Sequence, residues 1–231
     1  MLSSLHKDHL NIARLLTLLK HKLAAIRNEQ PVSYFLLRDV VDYLREVSDK
    51  FHHPKEDMIY DYYLKYRVVE GEVANRLHEE HARLLVAGTE LKEMVEMILM
   101  DAVIPLEQFT AKLEQFIEQQ EAHMNYEEGV IFPHLRDSLT EDDWRQLEQL
   151  WQNRAINDPL FGAEVSQHFQ ALAKQLSSPP SSPAWPGRCV LLCQWVCAAT
   201  GDAGDTTAPV RPNLRRRCRW LAAPFAGGAC L

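Results

Sequence analysis

The strongest constraint on this chain is a histidine pattern that occurs twice in the same order. Leu-His-x-x-His occupies residues 5–9 and again residues 77–81. Each copy is followed by His-x-x-x-Glu, at residues 52–56 and 123–127, so that 43 and 42 residues separate the histidines of each half. An internal repeat of this kind predicts two similar structural units, here two helical hairpins.

Apolar periodicity predicts that the repeated motifs lie on four helices. Apolar residues recur at steps of three and four over residues 2–28, 33–65, 68–100 and 105–133. Short connections between long helices favour antiparallel neighbours, so the predicted fold class is all-α, an up-down-up-down four-helix bundle. Pro54 lies inside the second predicted helix and should kink it.

Two further helices are predicted after the bundle. Thr140 and Asp143 form a capping signal for one of them, and a second short helix is expected over residues 160–176. This pair either packs outside the bundle or forms an oligomer contact such as that of a homodimer. We therefore expect a bundle at residues 1–138 and accessory C-terminal helices at residues 139–176.

Residues 177–231 differ in composition from the rest of the chain. A Ser/Pro-rich stretch leads into Gly, Ala, Arg and Pro without periodicity, and this segment also contains all five cysteines. Such composition predicts a low-complexity, disordered tail. Because the bundle has no cysteine, neither disulfides nor thiolate ligands are available to stabilise it.

Charge and hydropathy exclude two classes of partner. Residues 1–176 carry 19 basic and 30 acidic residues, a net charge of −11, whereas a nucleic-acid-binding face is expected to be basic. No apolar run reaches the roughly 18 residues that a membrane-spanning helix requires, and the N-terminus does not resemble a signal peptide. We expect a cytoplasmic protein that contacts neither nucleic acid nor membrane.

The repeated histidines and glutamates form a candidate metal site. Residues four apart share one face of a helix, and the histidines of the first and third helices lie within apolar stripes, where a buried imidazole needs a polar partner. A pair of metal ions would satisfy all of these groups at once. The candidate ligands are His9, His52, Glu56, His81, His123 and Glu127.

The donor set suits iron, manganese or zinc. Two bridging carboxylates and four imidazoles would fill about eight of roughly twelve positions on two octahedral ions. A bridging oxo or hydroxo group would fill about two more. Open positions would then remain for a small ligand.

In their order and spacing these motifs resemble the hemerythrin-like family, the His-His-Glu cation-binding domains. The resemblance covers about residues 2–138 and includes the segments at 51–57 and 123–133. It implies a non-haem centre of two iron ions, with an oxo or hydroxo bridge, that binds dioxygen or a related molecule such as nitric oxide. The six candidate ligands match the family's ligands by position.

The resemblance leaves the remaining ligands open. Oxygen-carrying hemerythrins have two histidines four residues apart on the third helix, whereas His78 and His81 are three apart, so a fifth histidine ligand is not assigned. Asp57 and Glu128 are alternative carboxylate ligands. The helical register places His53 on an acidic face, which predicts a solvated position or a role behind the ligands.

Other neighbouring histidines receive lesser roles from the sequence. His6 and His78 are expected behind the ligands or at the surface, and His134 could line the site. His21 and His168 are expected at the surface.

The pattern favours a small-ligand module for sensing, storage or delivery. The alternatives are a redox enzyme acting on peroxide or nitric oxide, a protein that repairs iron–sulfur clusters, or a protein of iron homeostasis. No catalytic residue is assigned, and whether the chain is an enzyme stays open.

Overall fold

The computed structural model describes residues 1–68, 76–151 and 157–177 of the 231-residue chain. All of them belong to one unit, Met1–Pro180. These residues form helices and connecting turns, with no strand among them, which confirms the predicted all-α class. The tail predicted at 177–231, apart from its first residue, lies outside the described residues.

Two long helical runs each contain a π-helical segment. The α-helices of the described residues are α1 Leu2–Arg27, α2 Tyr34–Tyr43, α3 His53–Arg67, α4 Arg76–Leu99, α5 Leu106–Tyr126, α6 Phe132–Ser138, α7 Glu141–Trp151 and α8 Gln170–Ser177. The first π-helical segment, Leu44–His52, joins α2 to α3, and the second, Glu127–Ile131, joins α5 to α6. A 3₁₀ turn at Gln167–Phe169 leads into α8.

Helix boundaries follow local capping chemistry. Ser33 is the N-cap of α2, because its side chain accepts a hydrogen bond from the Leu36 amide. Pro105 stands at the N-cap of α5. The third predicted helix is described from Arg76 onwards, and Val68, its expected start, is extended.

Two prolines explain the π-helical segments. Pro54 and Pro133 lie in the first turns of α3 and α6, directly after the two segments. Proline lacks an amide hydrogen, and its ring crowds the carbonyl four residues earlier, so a wider turn before it relieves that conflict. The distortion predicted at Pro54 takes this form. π-helical turns within α-helices are frequent at functional sites.

Apolar residues form two clusters separated along the helices. The larger cluster lies where α1 packs against α5 and α4 packs against α2 and α5. The smaller cluster comprises Leu5, Ile59, Tyr60, Leu77, Ile131, Phe132, Leu135, Leu139 and Leu147. In α1, Leu5 belongs to the smaller cluster and Ile12 to the larger, with His9 between them. The candidate metal ligands therefore lie between two apolar regions.

The start of α7 confirms the predicted capping arrangement. The Thr140 hydroxyl accepts a hydrogen bond from the Asp143 amide at 3.3 Å, and the Asp143 carboxylate accepts one from the Thr140 amide at 2.8 Å. The same carboxylate pairs with Arg67 and accepts a hydrogen bond from the Tyr62 hydroxyl. These contacts attach α7 to α3.

The last predicted helix is shorter than expected. Residues 160–166 are not helical, and α8 begins only at Gln170. The Asp158 carboxylate accepts hydrogen bonds from the amides of Leu160 and Phe161, each at 2.8 Å. This local side-chain bonding competes with helix formation.

The segment at 157–177 packs on the larger apolar cluster. Leu160, Phe169 and Leu172 are buried in that cluster, and the Tyr43 hydroxyl donates to Asp158 at 2.8 Å. The segment therefore extends the main core. None of the described helices is long and apolar enough to span a membrane.

Candidate metal centre

All six candidate ligands meet in one buried region between the two apolar clusters. Their exposed fractions run from 0% to 7%: His9, His52, Glu56, His81, His123 and Glu127. Burial of this many ionisable groups is costly unless they are paired or bind metal ions. These groups must therefore either pair with one another or hold metal ions.

The Glu56 carboxylate contacts histidines on both sides. Its Oε1 atom lies 3.4 Å from Nε2 of His9 and 3.2 Å from Nε2 of His52. Its Oε2 atom lies 3.5 Å from Nε2 of His81. The two oxygens of one carboxylate thus face two different groups of imidazoles.

The two oxygens of the Glu127 carboxylate also face different histidines. Its Oε2 atom lies 3.3 Å from Nε2 of His9. Its Oε1 atom lies 3.5 Å from Nε2 of His81 and 3.3 Å from Nε2 of His123. Both carboxylates therefore lie between the same two groups of histidines.

Unpartnered atoms show that the donor set fits metal ions. Both oxygens of Glu56 and of Glu127, together with Nε2 of His9, His81 and His123, are buried without a hydrogen-bond partner. Buried polar atoms normally have a partner, and coordination to a cation supplies one. Carboxylate and imidazole donors suit iron, manganese or zinc.

Two groups of four residues have the spacing of metal ligands. Within each group the ligand atoms lie within 4.8 Å of one another, and all the residues are buried. The first group is His9, His52, Glu56 and Glu127, and the second is His53, Glu56, His81 and His123. Glu56 belongs to both groups.

His53 is buried, which contradicts the solvated position that the sequence allowed but not the alternative role behind the ligands. It is 5% exposed, and its ring stacks on that of His81, with centroids 4.2 Å apart and planes 13° from parallel. The prediction assumed an ideal α-helix, whereas the π-helical segment before His53 has more residues per turn and rotates the helix after it. The adjacent His52-His53 pair was the available signal.

A carboxylate lies beside the outer nitrogen, Nδ1, of each predicted histidine ligand. Glu128 lies 2.8 Å from His9 and Asp57 lies 2.8 Å from His81. Asp8 lies 3.5 Å from His52 and Glu80 lies 3.1 Å from His123. A carboxylate at this position fixes the tautomer and orientation of a metal-binding imidazole.

Two of these outer carboxylates were considered as ligands and two were missed. Asp57 and Glu128 each contact the outer nitrogen, Nδ1, of a histidine. The oxygens of Glu56 and Glu127 instead contact the Nε2 atoms. Asp8 and Glu80 each directly precede a ligand histidine in the repeat. That repeated acid-His dipeptide was the signal that could have identified them.

The remaining histidines lie further out. His6 and His78 are about two-fifths exposed, and they contact Glu128 at 2.9 Å and Asp57 at 3.3 Å. His134 is exposed and does not line the site. His21 and His168 are exposed, as expected.

The pKa values of the buried imidazoles are shifted in different directions. Burial lowers the pKa of His9 and His52, but the surrounding carboxylates outweigh it and raise both values above the ordinary range. At His81 burial is likewise outweighed, by Asp57, Glu127 and Glu56, and the pKa rises to about 11. Burial lowers the pKa of His53, in contrast to the other three.

The carboxylate of Glu56 stays ionised despite its burial. Burial acts to raise its pKa, but the adjacent His52, with His81 and His9, holds the value well below the ordinary range. In the metal-free chain, protons on the imidazoles thus supply positive charge that metal ions could supply instead.

Comparison with known proteins agrees with this geometry. The model of the hemerythrin HHE cation-binding domain family matches residues 1–135, more than half of the chain. The chain therefore belongs to this family, which confirms the resemblance seen in the sequence. No curated protein sequence matches the chain. Family membership and the two His/Glu groups together define a metal-binding helical protein.

Proposed function

We propose that the chain holds two iron ions and binds dioxygen or a related small molecule, such as nitric oxide, for sensing, storage or delivery. The ligands in this proposal are His9, His52, Glu56, His81, His123 and Glu127. Family membership favours iron among the metals that suit the donor set.

This proposal rests on one observation: each of the two buried carboxylates directs its two oxygens at two different groups of imidazoles. Glu56 directs one oxygen to His9 and the other to His81. Glu127 likewise directs one oxygen to His9 and the other to His81. A carboxylate with one oxygen toward each of two cation positions acts as a bridge, so the geometry favours a pair of ions over a single one.

We further propose that the four helical runs form an up-down-up-down bundle. In α1 and α4 the smaller apolar cluster precedes the ligands along the chain, through Leu5 and Leu77. In the runs 34–67 and 106–138 the larger cluster comes first. This alternation supports helices that run in opposite directions past one site.

The residues around the site suit reversible binding of a small molecule. Iron ions with open coordination positions supply the capacity to bind dioxygen or nitric oxide. The two apolar clusters exclude bulk water from both sides. The ring of Phe132 lies parallel to that of His9, with centroids 5.4 Å apart. The outer carboxylates hold the imidazoles with Nε2 toward Glu56 and Glu127, where it would be available to bound ions.

The test is anaerobic loading of the metal-free chain with ferrous iron, followed by mixing with oxygen. We expect about two irons per chain and a near-ultraviolet absorption band of ferric iron that disappears when oxygen is removed. Iron near one per chain would overturn the two-ion centre. Irreversible oxidation with turnover of peroxide or nitric oxide would instead support the redox enzyme.

A further inference from the structure

The two halves of the internal repeat carry different residues at one position beside the site. When the two sequence motifs are aligned, His52 corresponds to His123, and His53 therefore corresponds to Met124. His53 is buried among the histidines of the site. Met124 packs against the larger apolar cluster. The two halves of the site thus differ by one imidazole.

That imidazole has the position of a ligand. A ring nitrogen of His53 lies within 4.8 Å of the ligand atoms of Glu56, His81 and His123. Its ring centroid lies 4.2 Å from that of His81 and 5.6 Å from that of His123, edge-on to the latter.

His53 also has the outer carboxylate that accompanies the other histidines. Its Nδ1 atom lies 3.5 Å from Oδ1 of Asp49, one helical turn earlier. The same relation holds between His52 and Asp8, again at 3.5 Å. With Nδ1 facing a carboxylate, Nε2 is left for an ion.

No residue of α4 supplies a second imidazole beside His81. Leu77, one turn before His81, is buried in the smaller apolar cluster. His78 is about two-fifths exposed and contacts Asp57. The second imidazole beside His81 is that of His53, which lies on α3.

We propose that His53 is a fifth histidine ligand, bound to the ion that Glu56, His81 and His123 hold. One ion then has three imidazoles, and the other has two, from His9 and His52. This assignment rests on the proposed function, because it requires the two-ion centre.

Two variants separate coordination from packing. His53→Phe keeps a flat ring over His81 but removes both nitrogens. His53→Gln keeps a polar side chain of smaller volume and serves if the aromatic variant does not fold. His21→Phe is the matched control, because it makes the same substitution at an exposed histidine that has no part in the site.

The experiment loads each full-length variant anaerobically with ⁵⁷Fe(II) and measures iron content, affinity and the Mössbauer spectrum. We expect two distinct doublets in the parent chain, from two unlike ions. In His53→Phe and His53→Gln one ion should bind at least about tenfold more weakly, with loss or change of one doublet. His21→Phe should match the parent, and far-ultraviolet circular dichroism verifies that each variant is folded.

The outcomes distinguish this assignment from the proposed function. Two irons in the parent chain with unchanged affinity and doublets in His53→Phe would show that His53 only packs against His81, and would overturn the assignment alone. A parent chain that binds no iron, or one per chain, would overturn the two-ion centre and the assignment together.

Discussion

The Nδ1 atom of His9 lies 2.8 Å from a carboxylate oxygen of Glu128, a residue 119 positions later in the chain. In the equivalent pair, Nδ1 of His81 also lies 2.8 Å from a carboxylate oxygen of Asp57. Here the histidine belongs to the second half of the repeat and the carboxylate to the first. Each half of the repeat therefore supplies the carboxylate that orients a histidine of the other half. This exchange couples the candidate metal centre to the packing of the two halves.

Removal of an outer carboxylate should weaken metal binding while leaving the fold intact. We expect Glu128→Gln and Asp57→Asn each to lower iron affinity by about 10–100-fold, because the imidazole loses the group that fixes its tautomer. Competition with a chromogenic chelator measures the change. Glu79→Gln, at an exposed position of α4, is the control. Unchanged affinity in both variants would mean that these contacts do not act on the metal ions.

The Glu56→Gln variant should hold fewer metal ions than any variant at a single histidine. Its two oxygens face opposite groups of imidazoles, and an amide offers one neutral oxygen in place of two charged ones. We expect loss of at least one of two irons, measured by elemental analysis after anaerobic loading and gel filtration. Retention of both irons at the parent affinity would contradict a bridging role.

The sequence predicted the parts of this site that depend on regular helical spacing. His52 with Glu56, and His123 with Glu127, lie side by side because residues four apart share a helical face. Apolar stripes located the histidines of α1 and α4. The structure brings these six residues together, although their roles as ligands stay predictions.

The parts that the sequence did not predict depend on local departures from ideal helices or on distant contacts. The register assigned to His53 ignored the π-helical segment, which depends on how Pro54 is accommodated. The helix expected at 160–166 is replaced by hydrogen bonds to Asp158. Contacts such as that of Glu80 with His123 join residues 43 positions apart, so only the tertiary fold reveals them.

Metal binding should release protons near neutral pH. The carboxylates outweigh burial and raise the pKa of His9, His52 and His81, the last to about 11. The metal-free site therefore binds protons that an entering ion must displace. Iron affinity should rise with pH between about 6 and 9, and an indicator dye in weak buffer should report acidification. A pH-independent affinity would contradict this competition.

The metal-free chain should lose a stabilising contribution from His81 as the pH rises. The folded pKa of about 11 exceeds the unfolded value, so the contribution is complete below about pH 6.5 and declines toward the folded pKa. The Tm difference between the metal-free parent and His81→Ala should shrink from pH 6.5 to pH 10. A difference that grows over this range would show that the imidazole is neutral in the folded chain.

The C-terminal segment should contribute substantially to the stability of the main core. Leu172 of α8 is fully buried in the larger apolar cluster, and truncation of a buried leucine to alanine typically costs about 2–5 kcal/mol. We expect Leu172→Ala to lower the free energy of unfolding of the metal-free chain by about that amount, measured by urea denaturation.

Leu150→Ala is the matched control for Leu172→Ala, because Leu150 lies on α7 with most of its side chain exposed. It should change the free energy of unfolding by less than about 0.5 kcal/mol. Leu172→Ala should still bind the full complement of iron while it remains folded, because α8 packs on α1 and α2 and supplies no candidate ligand. Equal effects of the two substitutions would mean that α8 is not part of the core in solution, and that the bundle is stable without it.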